Sequence, residues 1–141
     1  MILSDKIVTA LLTLAGGALA LALTKFIVEP LNEQRKVTGE VAFALIYWAR
    51  IYAHPQLARP DDADKARSEI RALAGKIVAA TLGVRPYFIG RCLGAPSRGC
   101  ITSAVEHLVA VSNGVYVQDA GTKNCDRANK ALAYLRVKIT V

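Results

Sequence analysis

Residues 7–24, IVTALLTLAGGALALALT, run for 18 positions without a charge, and no other feature constrains the chain as strongly. If Lys25 reaches outward along its aliphatic stem, the apolar stretch extends to Val28. At about 1.5 Å per residue, roughly 22 residues reach about 33 Å, enough for the roughly 30 Å hydrocarbon core of a bilayer. Three readings compete: a retained anchor, a cleaved export signal and a buried core helix. Lys6 precedes the run, and Ala18-Leu19-Ala20 or Ala20-Leu21-Ala22 fits a small-x-small cleavage pattern. The run nevertheless continues past both sites, and Asp5 offsets the positive start. The retained anchor is the reading adopted.

Lys25, Arg35 and Lys36 after the span slightly outweigh Lys6 and the amino terminus before it, which favours a cytoplasmic C-terminal part. Within the span Thr9, Thr13, Gly16 or Gly17, Ala20 and Thr24 recur every three or four residues. Small and hydroxyl side chains on one face let another helix approach closely in lipid. The expected partner is a second copy or another membrane protein.

After the span, the chain is long enough for one small domain. Charged residues make up 21% of the whole, too many for a multi-span protein. Cys92, Cys100 and Cys125 cannot all pair within one chain, and no CxxC occurs, which favours a reducing compartment. Residues 30–54 read as a long helix ending before Pro55, with a kink or short break expected at Pro30. Leu31, Gln34, Thr38, Val41, Leu45, Trp48 and Tyr52 share one face, with a second ridge at Val37, Ala44 and Ile51. The segment 41–49 is apolar almost all round, so other helices or lipid should cover it.

A second helix is expected from Asp61 or Asp62, as cap, to about Leu82; it would bury Ala63, Ala66, Ile70, Leu73, Ala74, Ile77 and Val78. Residues 86–93 support at most a short helical turn. Ser97 should cap a helix over 98–113, directing Ile101, Ala104, Val105, Leu108 and Val111 or Ser112 inward. A last helix over about 124–136 would bury Cys125, Ala128, Leu132 and Leu135, and residues 137–141 would fray or extend it.

The pattern IVEPLNEQRKVTGEVAFALIYWARIYA after one apolar span, followed by GAPSRGCITSAVEHLVAVSN, resembles a group of uncharacterised bacterial single-span membrane proteins with an IVEP-x-x-EQR-type helix after the span. The resemblance covers most of the chain. It implies a bacterial, membrane-associated helical protein and supplies no activity.

Reactive chemistry has little support. Cys100 and His107 share a helix face, but the spacing for four zinc ligands is missing, so no metal site is expected. Cys100 falls in a first helical turn near Arg98, where a thiol can be activated, although a small buried apolar role explains it as well. The paired Asp61 and Asp62 suit a helix start better than a catalytic dyad. No phosphate loop, GxSxG or HExxH is present, so no cofactor or catalytic residue is assigned.

The formal net charge is +7, and from residue 70 to 105 no acidic residue occurs while Arg71, Lys76, Arg85, Arg91 and Arg98 do. Tyr87, Phe88 and Ile89 lie between Arg85 and Arg91. Arginines bracketing apolar groups suit an anionic headgroup layer, so Arg85, Tyr87, Phe88, Arg91 and Arg98 form a candidate lipid-docking set. The alternative is a solvated basic loop with Tyr87 and Phe88 tucked into the bundle. Few stacking aromatics and no reading motif argue against a nucleic-acid partner.

The expected fold is all-α: residues 1–29 as one N-terminal transmembrane helix and residues 30–141 as a small cytoplasmic-face helical bundle in the bacterial inner membrane. The expected function is a non-enzymatic interaction or assembly subunit. The alternatives are a signalling or stress regulator that binds an acidic protein, and a small thiol-dependent enzyme acting through Cys100.

Overall fold

Pro30 has no backbone N–H, and in a regular helix its ring collides with the carbonyl four residues back. The chain relieves this with a π-helical turn, Thr24–Val28, in which the Glu29 N–H bonds to Thr24 O, five residues back. The break expected at Pro30 is therefore absent. The ladder widens one turn earlier and the helix runs on, joining α1 (Ile2–Leu23) to α2 (Glu29–Tyr47). The computed structural model describes the backbone of residues 2–138 and the side chains of residues 6–138.

All regular elements among the described residues are helical: α1, α2, α3 (Ala49–Ala53), α4 (Pro60–Gly83), α5 (Tyr87–Cys92), α6 (Arg98–Gly114) and α7 (Gly121–Tyr134), with short 3₁₀ turns at Pro55–Leu57 and Gln118–Ala120. Helix α4 packs on both α2 and α6, α6 packs on α7, and α3 joins α7. Val41, Leu45, Ile70, Ile77, Leu108 and Val111 fill the centre, all buried. Each such aliphatic side chain contributes about 1.5–3 kcal/mol by leaving water. Val78, expected inside, is 39% exposed, because it stands one residue round the helix from the Ile70–Ile77 line.

Helix ends follow local rules. Pro60 occupies the first turn of α4, which makes Arg59 the cap residue; Asp61 and Asp62 do not cap but lie inside the first turn, where the dipole favours carboxylates. Ser97 caps α6 as expected, its Oγ accepting from Cys100 N at 3.1 Å. Helix α7 starts at Gly121, three residues before the expected start. It closes with Arg136 N bonded to Ala133 O, Val137 N to Leu132 O, and Arg136 at φ 59°. That left-handed cap stops the helix at Tyr134 and excludes a helical extension through residues 137–138; residues 139–141 lie outside the described residues.

The end of the bundle farthest along the chain from α1 is clasped by Asn124, a fully buried polar residue. Its Nδ2 donates to Tyr52 O at 3.1 Å and to Gly114 O at 3.0 Å, tying α7 to α3 and α6. A Cβ at Gly114 would strike the Asn124 carboxamide, and one at Gly121 would strike Ala53 O. Gly114 therefore makes room for the Asn124 side chain, and Gly121 lets the backbone of α7 approach that of Ala53. Tyr52 donates to Leu45 O at 2.9 Å. Burial, with a smaller contribution from Cys125, pushes its hydroxyl up to about 12.

Replacing Asn124 by Ala removes the donor for two buried carbonyls and is expected to cost about 3 kcal/mol, visible as a lowered Tm in detergent. Gly121→Ala should destabilise comparably. Because the Tyr52 hydroxyl is raised above its ordinary value of 10.0, the stability it contributes is complete below that pH and is lost as pH rises towards about 12. Near-ultraviolet phenolate absorbance should show a late-titrating component that Tyr52→Phe removes.

Candidate functional site

Two surfaces carry the residues singled out in the sequence. The first is the outer face of the rod formed by α1 and α2. No residue in the apolar window of this helix is buried, and the helix is long and apolar enough to cross a membrane. Thr9, Thr13, Gly16, Gly17, Ala20 and Thr24 are all exposed. Thr13 Oγ1 donates to Thr9 O and Thr24 Oγ1 to Ala20 O, each at 2.9 Å, so these hydroxyls are satisfied within the helix. A Cβ at Gly16 or Gly17 would meet nothing within 4 Å.

Farther along, α2 turns Leu31, Gln34, Val37, Val41, Ala44 and Leu45 into the bundle. Its opposite side exposes Gly39, Phe43, Ile46 and Tyr47, the last three at 66%, 59% and 64%. Phe43 and Tyr47 stack with ring centroids 5.9 Å apart, and Trp48 meets Tyr47 edge-on at 4.8 Å. Neighbouring helices therefore cover only half of the all-round apolar segment.

The π turn aligns these two surfaces. At about 100° per residue, Gly39, Phe43 and Ile46 on a regular helix would lie roughly a quarter turn from the line through Thr9, Thr13, Gly17, Ala20 and Thr24. One extra residue in the π turn takes back about that rotation. On this ideal geometry the Thr9–Thr24 stripe and the exposed line of α2 fall on the same side of the helix. The sequence displayed each half of this face, but nothing in it registered one half to the other.

The second surface surrounds α5. Gly90 is buried, and a Cβ there would crowd Val84 and Leu31, which holds the short helix against the start of α2. Leu31, Val84 and Ala95 form a small core with Ile27 and Tyr87 against it. Gly94, at φ 92°, closes α5 through Ala95 N to Gly90 O at 2.9 Å. Arg35 Nη2 reaches across to Leu93 O at 2.9 Å.

The lipid-docking candidates divide here. Tyr87 turns inward: its hydroxyl donates to Pro96 O at 2.5 Å and accepts from Gln34 Nε2 at 3.4 Å. Gln34, itself buried, also donates to Thr81 Oγ1 at 3.0 Å. Arg98 stacks on the Tyr87 ring, 4.9 Å from its centroid. Arg85, Phe88 and Arg91 point to solvent, with Phe88 68% exposed and Leu93 beside them 49% exposed. Tyr87 and Phe88 separate because neighbouring residues on a helix face about 100° apart.

The chemistry-bearing side chains do not converge. Cys92 is exposed, Cys100 and Cys125 are half-buried, and all three are free thiols. His107 stacks on Tyr134 at 5.7 Å. Among the described residues no three His, Cys, Asp or Glu side chains are grouped so as to hold a metal ion. A groove of about 650 Å³ between α2 and α4 is lined by Glu29, Glu33, Lys36, Glu40 and Lys76 together with small apolar residues. Comparison with protein families, curated proteins and solved structures finds no match for the chain.

Tyr87→Ala should remove the inward anchor of this end and cost about 2 kcal/mol, whereas Phe88→Ser should leave stability within about 0.5 kcal/mol. Thermal unfolding of the two full-length variants tests this division.

Proposed function

We propose that the chain is a non-enzymatic, membrane-anchored helical subunit that assembles with a second copy of itself along one face of its long helix. What supports this reading is the π turn, which on ideal helix geometry brings the exposed Phe43 and Ile46 to the side of the Thr9–Thr24 stripe. In lipid, small residues let two helices approach closely; outside lipid, exposed aromatic and aliphatic groups gain by leaving water. Phe43 lies about 22 Å of helix beyond Val28, too far for a bilayer spanned by α1 to cover it.

Parallel orientation follows from the anchor. Copies inserted in the same sense stand at the same depth, so a two-fold axis along the membrane normal brings the same residue of each copy together. The bacterial resemblance supports the inner membrane, and the Lys and Arg bias around the span supports a cytoplasmic bundle.

Native mass spectrometry of the full-length protein, released from its own membranes in gentle detergent, tests the reading. The expected result is a defined multiple of 15.1 kDa. Gly16→Leu with Gly17→Leu should reduce it to monomer, while Ala15→Leu with Ala18→Leu, on the other side of the helix, should not. A stoichiometric foreign chain would replace self-assembly with an accessory role. A clean monomer would favour the regulator that binds an acidic protein.

A further inference from the structure

We infer that the α5 end of the bundle is a docking surface for anionic lipid, in which Phe88 and Leu93 enter the headgroup layer and Arg85 and Arg91 bind its phosphates. This rests on the reading of α1 as an inserted span, and it assigns the surface a partner.

Position is the first support. Gly90 seats α5 on Leu31 and Val84, and Ile27 of the π turn packs on the same small core. Leu31 lies only about 4.5 Å of helix beyond Val28, where the apolar run ends. The outer side of α5 is therefore level with the bilayer edge.

Charge complementarity is the second. Arg85 and Arg91 are exposed, have no acidic neighbour in sequence from residue 70 to 105, and flank an exposed Phe88. Glu29 and Glu33, the carboxylates nearest this level on α2, line the groove against α4 instead. A basic rim around protruding apolar side chains matches the negative surface and apolar subsurface of an anionic leaflet. Arg98 and Tyr87 belong to the support: their stack and the Gln34–Tyr87–Pro96 chain hold α5 rigidly to α2 and to the segment before α6. The docked segment is thus preorganised by its contacts with the rod.

The experiment uses the full chain in proteoliposomes of phosphatidylcholine alone or with phosphatidylglycerol, carrying acyl-brominated lipid as a contact quencher. Phe88→Trp supplies the reporter. Native Trp48 is an internal control, about 30 Å of helix beyond Val28 and bonded to Glu69 at 2.8 Å. The expected result is quenching of the added indole in the anionic bilayer, with Trp48 unaffected. Adding Arg85→Gln and Arg91→Gln should lower the ratio of docked to free surface about 30-fold. Equal quenching in both bilayers would overturn anionic recognition, and an unquenched reporter would overturn docking altogether. Alkaline carbonate washing separates the failures: a chain retained but unquenched defeats docking alone, and a chain released by the wash defeats the anchor as well.

Discussion

The missing N–H of Pro30 is the constraint from which the arrangement of this molecule follows. A proline two residues into α2 leaves three outcomes: a broken helix, a kinked one, or a ladder that opens by one residue just ahead of the ring. The chain takes the third, and the Glu29 N–H bond to Thr24 O records it. The helix continues into α2, and because one residue is inserted, α2 takes a rotated bearing. That rotation sets, relative to α1, which side of α2 meets α4 and which is left facing outward.

The two ends of the bundle are secured by different means. At the end nearest α1, polar side chains do the linking: Gln34, Thr81 and Tyr87 form a connected set that satisfies buried donors and ties α2, α4 and α5 together. At the far end it is the absence of a side chain that matters: Gly121 lets α7 approach the Ala53 backbone, and Gly114 leaves room for the Asn124 amide that bonds Tyr52 O and Gly114 O. Exposed ion pairs such as Lys76–Glu40 at 3.4 Å add little beside these buried contacts.

Most of the apolar stripes were legible because a period of 3.6 residues is a one-dimensional signal: the Ile70–Ile77 line and the Ile101–Val111 line both face inward. Pro60 also carried its own message, since a proline in the first turn moves the cap back to Arg59, and the two acids drew attention from it. What could not be read was anything needing a neighbour. Asn124 in a polar-looking segment gives no hint that it will be fully buried, because its partners Tyr52 O and Gly114 O lie on other helices. The candidate surfaces were half legible for the same reason. Arg85, Phe88 and Arg91 are exposed, but Tyr87 is withdrawn by Pro96 and Arg98, contacts that depend on how α5 is seated.

The unbroken passage from α1 to α2 also bears on motion. A flexible linker would let the bundle tumble relative to α1, whereas here a continuous helix runs from Lys6 to Tyr47. A turn of α1 about its own axis would therefore be passed to α2 and to the helices packed on it. The compass bearing of the bundle would then follow that of α1.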